Sequence, residues 1–246
     1  MILESLTLWQ VLAMTGAFVA SGMVRGFNGG AGANFITAPV LALILGAREG
    51  VPLIILLNLI SNIQVMPSAL PHANWRRMIP VGLAAVAMAP LGAWILVVVA
   101  EDTMRRIVAA TAIALSLLLL TGWRYSGPRG LPVRIGVGAL GGLVTGSVSM
   151  GGPPVFLYLL SGPGTAAQHR ADFLSFGAMV QSGAILAFAV SGLITLQTLV
   201  LAAAMYVPFT LACWAGMRLF ARSSDAQFRN LTLWGIAILS LAIAVI

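Results

Sequence analysis

Gly22-Met23-Val24-Arg25-Gly26-Phe27-Asn28-Gly29-Gly30-Ala31-Gly32 aligns without a gap onto Gly142-Leu143-Val144-Thr145-Gly146-Ser147-Val148-Ser149-Met150-Gly151-Gly152, 120 positions further on. Gly22, Gly26 and Gly32 recur as Gly142, Gly146 and Gly152. Runs of glycine break an apolar segment because glycine adopts backbone torsions that other residues resist. Two such breaks in matching places make the chain read as two copies of one unit. Other matches keep the same order: Arg48 with Arg170, Pro90 with Pro208, and Asp102 and Arg106 with Asp225 and Arg229, at offsets between 118 and 123.

Around these breaks the chain is apolar. Of 246 residues, 60% are hydrophobic and 8% charged, with a mean hydropathy of +1.02. A soluble domain holds about 45–50% apolar and about 25% charged residues, so this chain lacks the polar groups to cover a water-facing surface. It reads as an all-α polytopic membrane protein, which excludes a soluble enzyme, a secreted disulfide scaffold and a disordered chain. The net charge of +7 comes from thirteen arginines against six acidic residues, with no lysine. Lying between apolar runs, the arginines read as membrane anchors and not as a nucleic-acid surface. The single cysteine, Cys213, allows no intramolecular disulfide and no zinc-binding thiol pair. Met1-Ile2-Leu3-Glu4 lacks the basic start of a signal peptide, so the first apolar segment is expected to stay in the mature protein.

Charged or Pro/Gly-rich breaks separate ten apolar segments, approximately 5–24, 32–46, 51–70, 78–99, 104–121, 133–148, 153–162, 171–192, 196–219 and 228–246. A crossing helix needs about 20 apolar residues, and the second, sixth and seventh fall short. The sixth and seventh, joined through Ser149-Met150-Gly151-Gly152, are expected to form a broken or re-entrant hairpin with its tip at membrane depth, as are the first and second. Irregular backbone there must be buried in protein or line a cavity. Five segments per half is an odd number, so the second half enters from the opposite side. The expected organisation is two inverted repeats, 1–122 and 133–246, joined by a basic cytoplasmic loop, 123–132. Such repeats place substrate sites near the bilayer midplane.

Arginine placement agrees with that topology. Arg25, Arg76, Arg77, Arg124, Arg129, Arg134, Arg170, Arg218, Arg222 and Arg229 fall on one side, whereas Arg48, Arg105 and Arg106 fall on the other. The richer side is the cytoplasmic one, which puts both termini outside. Counting each hairpin as a single crossing, 4+4, divides the arginines seven to five once Arg25 is left out, a poorer fit that stays open.

Both breaks place polar groups in apolar surroundings. Pro153 and Pro154 suit the first turn of a new helix, so half-helices are expected to begin near Ala31 and Pro153 with positive ends facing a shared space. Such ends attract anions. The expected site consists of backbone N–H groups over Ala31 to Asn34 and Gly151 to Gly152, with Asn28, Asn34, Ser147 and Ser149 as neutral donors and Arg25 as counter-charge. Gly29, Gly30, Gly32 and Pro153 shape it. The competing reading is that Gly22-x-x-x-Gly26 and Gly138-x-x-x-Gly142-x-x-x-Gly146 only let helices pack closely. Arg25 reads either as a midplane cation or, if the first helix ends earlier, as a cytoplasmic anchor. Asn58 and Asn62 share a helix face by their spacing, near Ser61, and Gln181 lies in the counterpart segment. They line the path or bond across helices.

Glu49, Glu101, Asp102, Asp172 and Asp225 sit at segment ends, so no proton-carrying acid is visible at mid-membrane. His72 and His169 read as interfacial, as do Trp9, Trp75, Trp123 and Trp234. Without lysine there is no ATP-hydrolysing P-loop. An intramembrane hydrolase using Ser147 or Ser149 needs a base within reach, which the histidines do not offer; a passive anion channel stays open. No cofactor or metal is expected. The expected partners are a small anion and the lipid bilayer, with a homodimer left open and no nucleic acid.

The paired motifs Gly22-x-x-x-Gly26-x-x-Gly29-Gly30-x-Gly32 with Pro39, and Gly142-x-x-x-Gly146-x-x-x-x-Gly151-Gly152-Pro153-Pro154, resemble the TauE/SafE sulfite exporter family, also described as toluene-sulfonate uptake permeases. The likeness extends over nearly the whole chain through its size, its duplication and the basic stretch Arg124 to Arg134. It implies transport of a small sulfur oxyanion or organosulfonate, such as sulfite, sulfoacetate or a taurine-related compound, across a bacterial inner membrane. Met150 stands where the first half has Gly30, and Arg25 has no basic counterpart.

Overall fold

The computed structural model describes residues 6–121 and 125–222, and among them every regular element is helical. The helices are α1 (Leu8–Asn28), α2 (Asn34–Ile44), α3 (Ala47–Ala69), α4 (Trp75–Val98), α5 (Glu101–Leu120), α6 (Leu131–Val148), α7 (Gly152–Leu160), α8 (Ala166–Val190) and α9 (Leu196–Ala221), with a 3-10 turn at Leu70–His72. Each of the first nine predicted segments corresponds to one of these helices. The tenth lies outside the described residues, together with Trp123, Arg124, Asp225, Arg229 and Trp234. Five helices, α3, α4, α6, α8 and α9, are long and apolar enough to cross a bilayer, so the chain is a multi-pass membrane protein. α2 and α7, with 11 and 9 residues, cannot cross alone. α6 is longer than its apolar run suggests, because Leu131 and Pro132 open its first turn and bring it to 18 residues.

α1 and α6 stop in the same way at aligned positions. Gly29 and Ser149 both adopt the left-handed conformation, with φ of 87° and 60°. Each donates its N–H to the carbonyl four residues back, Gly29 to Arg25 at 3.0 Å and Ser149 to Thr145 at 2.9 Å, satisfying a carbonyl that a helix end leaves open. The restarts differ. α7 begins at Gly152, with Pro153 and Pro154 in its first turn, where a missing N–H costs nothing. α2 begins at Asn34 and not near Ala31, because Gly30 and Gly32 hold positive φ and Ala33 closes a turn onto the Gly30 carbonyl at 3.1 Å.

The aligned glycines lie against facing backbones. A Cβ on Gly22 or Gly26 would overlap the carbonyls of Phe209 and Cys213 in α9, and one on Gly142 or Gly146 those of Ala85 and Ala89 in α4. Lipid supplies no hydrophobic force between helices, so close approach of this kind is what holds them together. The contacts of α1 with α9 and of α6 with α4 are the broadest among the described helices. α3 and α8 are the innermost spans, with 61% and 56% of their apolar stretches buried against 39% for the other three. Such all-round apolar helices belong in an interior. Trp94, Leu83 and Leu211 are exposed on the outer helices and form part of the lipid-facing surface.

Two charged residues depart from their expected places at segment ends. Asp172 is fully buried in the second turn of α8, where it accepts from the Asn74 backbone N–H at 2.6 Å and pairs with Arg77 at 3.5 Å, tying the starts of α8 and α4 together. Arg170, expected among the arginines of the cytoplasmic side, is also buried, and the Gly26 carbonyl accepts from its Nη2 at 2.9 Å. Partners in the folded chain replace the water that each would otherwise need.

Candidate functional site

Arg25 lies in the last turn of α1 and is 3% exposed. The helix runs on to Asn28, so Arg25 is enclosed by protein and is not a surface anchor. An arginine at the centre of a bilayer costs about 2.5–3.5 kcal/mol on insertion scales, which makes its partners informative. Its Nε donates to Ser61 Oγ at 2.5 Å, and its Nη2 donates to Asn62 Oδ1 at 3.0 Å and to the Asn58 carbonyl at 3.3 Å. Asn58, Ser61 and Asn62 reach it together because three- and four-residue spacing puts them on one face of α3.

Gln181 of α8 closes this group. In one orientation its amide oxygen accepts from Asn62 Nδ2 at 2.7 Å; turned over, it accepts from Arg25 Nη2 at 2.8 Å and its nitrogen donates to the Gly177 carbonyl at 3.3 Å.

Nη1 of Arg25 meets no acceptor among the described residues. It lies over Gly30, where a Cβ would come within 2.7 Å of it, so the absent side chain is what gives the guanidinium room. No carboxylate among the described residues lies within 4.0 Å of Arg25.

The two breaks meet beside this guanidinium. Asn34 Nδ2 donates to the Ser149 carbonyl at 2.6 Å, and Asn58 Nδ2 reaches Asn34 Oδ1 at 3.4 Å. Between them lies a cavity of about 30 Å³. One water needs at least about 10–15 Å³, so the space suits a few atoms and no more. From the first break Arg25, Gly29, Gly30, Gly32 and Asn34 line it; from the second, Ser149, Gly152 and Pro153; from α8, Gln181. The Ser149 hydroxyl is buried with no partner among the described residues, a state that costs about 1–3 kcal/mol. Ser149 is also the one non-glycine residue with positive φ among the described residues.

Seven expected residues do not line the cavity. Asn58 and Asn62 stand behind Arg25 as its acceptors, bonding across helices. Asn28 braces the first break from within, accepting from Gly30 N at 2.9 Å and donating to the Ala31 carbonyl at 3.1 Å. Ala31 is buried behind it. The Ser147 hydroxyl turns back to the Leu143 carbonyl at 2.8 Å, the usual resort of a helical serine. Gly151 lets the second break lie against Gly141 and Thr145. Ala33, expected among the backbone donors, has its N–H in the turn described above.

Some wall residues escape a reading of the sequence. Phe173 and Phe176 of α8 line the cavity with ring centroids 6.1 Å apart, and Phe156 of α7 packs edge-on to Phe173 at 5.2 Å. Nothing in their spacing separates them from other apolar residues of the same segments. Ser61 is different, since its place one residue before Asn62 is itself a signal.

The family model described as sulfite exporter TauE/SafE matches residues 13–243. Neither the curated proteins nor the solved structures yield a significant match. Members of that family are membrane transporters of sulfite and related anions, a role that suits a buried, unneutralised arginine beside a small polar cavity. With nearly all of its length matched and both glycine breaks gathered at one site, the chain belongs to the TauE/SafE sulfite exporter family.

Proposed function

We propose that this protein is a secondary transporter of a small sulfur oxyanion, sulfite before the bulkier organosulfonates, which it binds at Arg25 between the two helix breaks. The observation that carries the reading is a guanidinium buried to 3% exposure with no carboxylate beside it among the described residues, in a residue that lines one cavity together with Ser149, whose buried hydroxyl has no partner among them. An oxyanion there supplies the missing charge and the missing acceptors together. The volume of about 30 Å³ favours the compact anion over taurine-related cargo.

The two halves then act as inverted repeats that rock about this site, exposing it to one side of a bacterial inner membrane and then to the other. Support for that arrangement comes from the matched caps at Gly29 and Ser149 and from the reciprocal packing of α1 on α9 and α6 on α4. Proteoliposome uptake of radiolabelled sulfite tests the proposal. A carrier shows saturable uptake that unlabelled sulfite preloaded inside accelerates. Uptake that rises linearly with concentration and ignores preloading identifies a channel and overturns the carrier reading.

A further inference from the structure

A second cleft, of about 410 Å³, opens where the ends of α3, α8 and α9 come together, and it shares no residue with the cavity beside Arg25. Among the described residues, Arg170, Arg218 and His72 line it, no acidic residue does, and the remaining walls are apolar, including Met217, Phe220 and Ala221.

Neither arginine has a carboxylate partner among the described residues. Arg170 is 5% exposed; its Nη2 donates to the Gly26 carbonyl, its guanidinium sits 4.5 Å from the Phe220 ring centroid, and its Nε meets no acceptor among the described residues. Arg218 is exposed and stacked on the Trp214 ring at 3.5 Å. Stacking occupies the face of a guanidinium and leaves its edge donors free for a planar, two-point grip on a phosphate. The cleft also sits at a membrane boundary. Arg170 lies near the start of the span Ala166–Val190, and Trp214 and Arg218 near the end of the span Leu196–Ala221, where aromatic and basic residues meet lipid headgroups.

A free oxyanion needs the two cations but not the apolar walls. A tailed anion needs both. We propose that this cleft binds an anionic phospholipid, its phosphate held by Arg170 and Arg218 and the root of its acyl chains lying along Met217, Phe220 and Ala221. Basic pockets between the ends of spanning helices recognise lipid headgroups in this way. Through the Arg170 bond to the Gly26 carbonyl, the bound lipid fastens α8 and α9 to the end of α1.

Native mass spectrometry of the full-length protein, released from detergent with phosphatidylglycerol or with phosphatidylcholine of the same chains, tests this. Phosphatidylglycerol is expected to stay bound under activation that strips phosphatidylcholine. The exposed side chain of Arg218 allows Arg218→Gln without disturbing the fold, and this variant is expected to weaken phosphatidylglycerol about fivefold while leaving phosphatidylcholine unchanged. Arg222→Gln, one turn away and outside the cleft, is expected to change neither. Equal retention of the two lipids, or equal loss in Arg218→Gln and Arg222→Gln, overturns the proposal. So does displacement of phosphatidylglycerol by millimolar inorganic phosphate, which marks the cleft as a free-anion vestibule.

Discussion

Nε and Nη2 of Arg25 are tied to α3, while Nη1 is left at the edge of the cavity, where Gly30 makes room for it. Ser149 faces the same space at a cost, since a non-glycine residue in the left-handed region carries about 1–2 kcal/mol of strain and its hydroxyl lacks a partner. Strain kept at such a place points to use. Ser149→Gly is therefore expected to raise thermal stability, by about 1 kcal/mol in the unliganded protein, and to weaken anion binding. Paired thermal-shift curves with and without sulfite measure both effects, because a ligand of the folded state adds stability by mass action. A variant that gains stability and keeps full affinity removes the hydroxyl from the site. Arg25 was legible as a candidate from its position beside the first break. Whether it lay inside the helix was not, because Gly26, Gly29 and Gly30 each offer a place for a helix to stop.

Small residues set the helix contacts. Gly142 lies against the Ala85 carbonyl, whereas a Cβ on Gly136 in the same helix meets nothing within 4 Å. Gly142→Ala is expected to destabilise the α4–α6 pair by about 1–3 kcal/mol. Gly136→Ala is expected to be neutral or to stabilise by up to about 1 kcal/mol, since alanine is the better helix former. Melting temperatures of the two variants check this directly, and equal shifts contradict the packing described. The breaks, the short α2 and α7 and the long spans were readable from glycine runs and apolar length. The register of the last spans was not. Pro90 and Pro208 align at an offset of 118, yet the contacts of Gly22 and Gly26 with Phe209 and Cys213 match those of Gly142 and Gly146 with Ala85 and Ala89 at an offset of 124. One apolar face in lipid serves as well as the next, so only the glycine contacts mark the register. The start of α2 was misplaced for a related reason, because three positive-φ glycines extend the first break beyond Ala31.

At the scale of the molecule, Arg25 is a charge that no carboxylate among the described residues neutralises, enclosed where the two helix breaks meet. In the proposed carrier cycle, rocking of one half against the other exposes this site to each side in turn. Ser149→Cys reports on that motion against a quiet background, since the native Cys213 is fully buried. In proteoliposomes of defined orientation, membrane-impermeant thiol reagents are expected to label the introduced cysteine from both sides, and sulfite is expected to protect it. Labelling from one side only contradicts alternating access. The burial of Arg170 and of Asp172 shows what a sequence conceals at this scale, since their position beside a segment end did not reveal that packing of α8 against α4 and the bond of Arg170 to the Gly26 carbonyl enclose them. The most direct measurement is calorimetric titration of sulfite into the purified wild type and Arg25→Gln, with Arg218→Gln as a folded control. The account predicts saturable binding at one site in the wild type and in Arg218→Gln, and a loss of at least about tenfold in Arg25→Gln, the least expected when a charged hydrogen bond is removed. Undiminished sulfite affinity in a folded Arg25→Gln protein would contradict it.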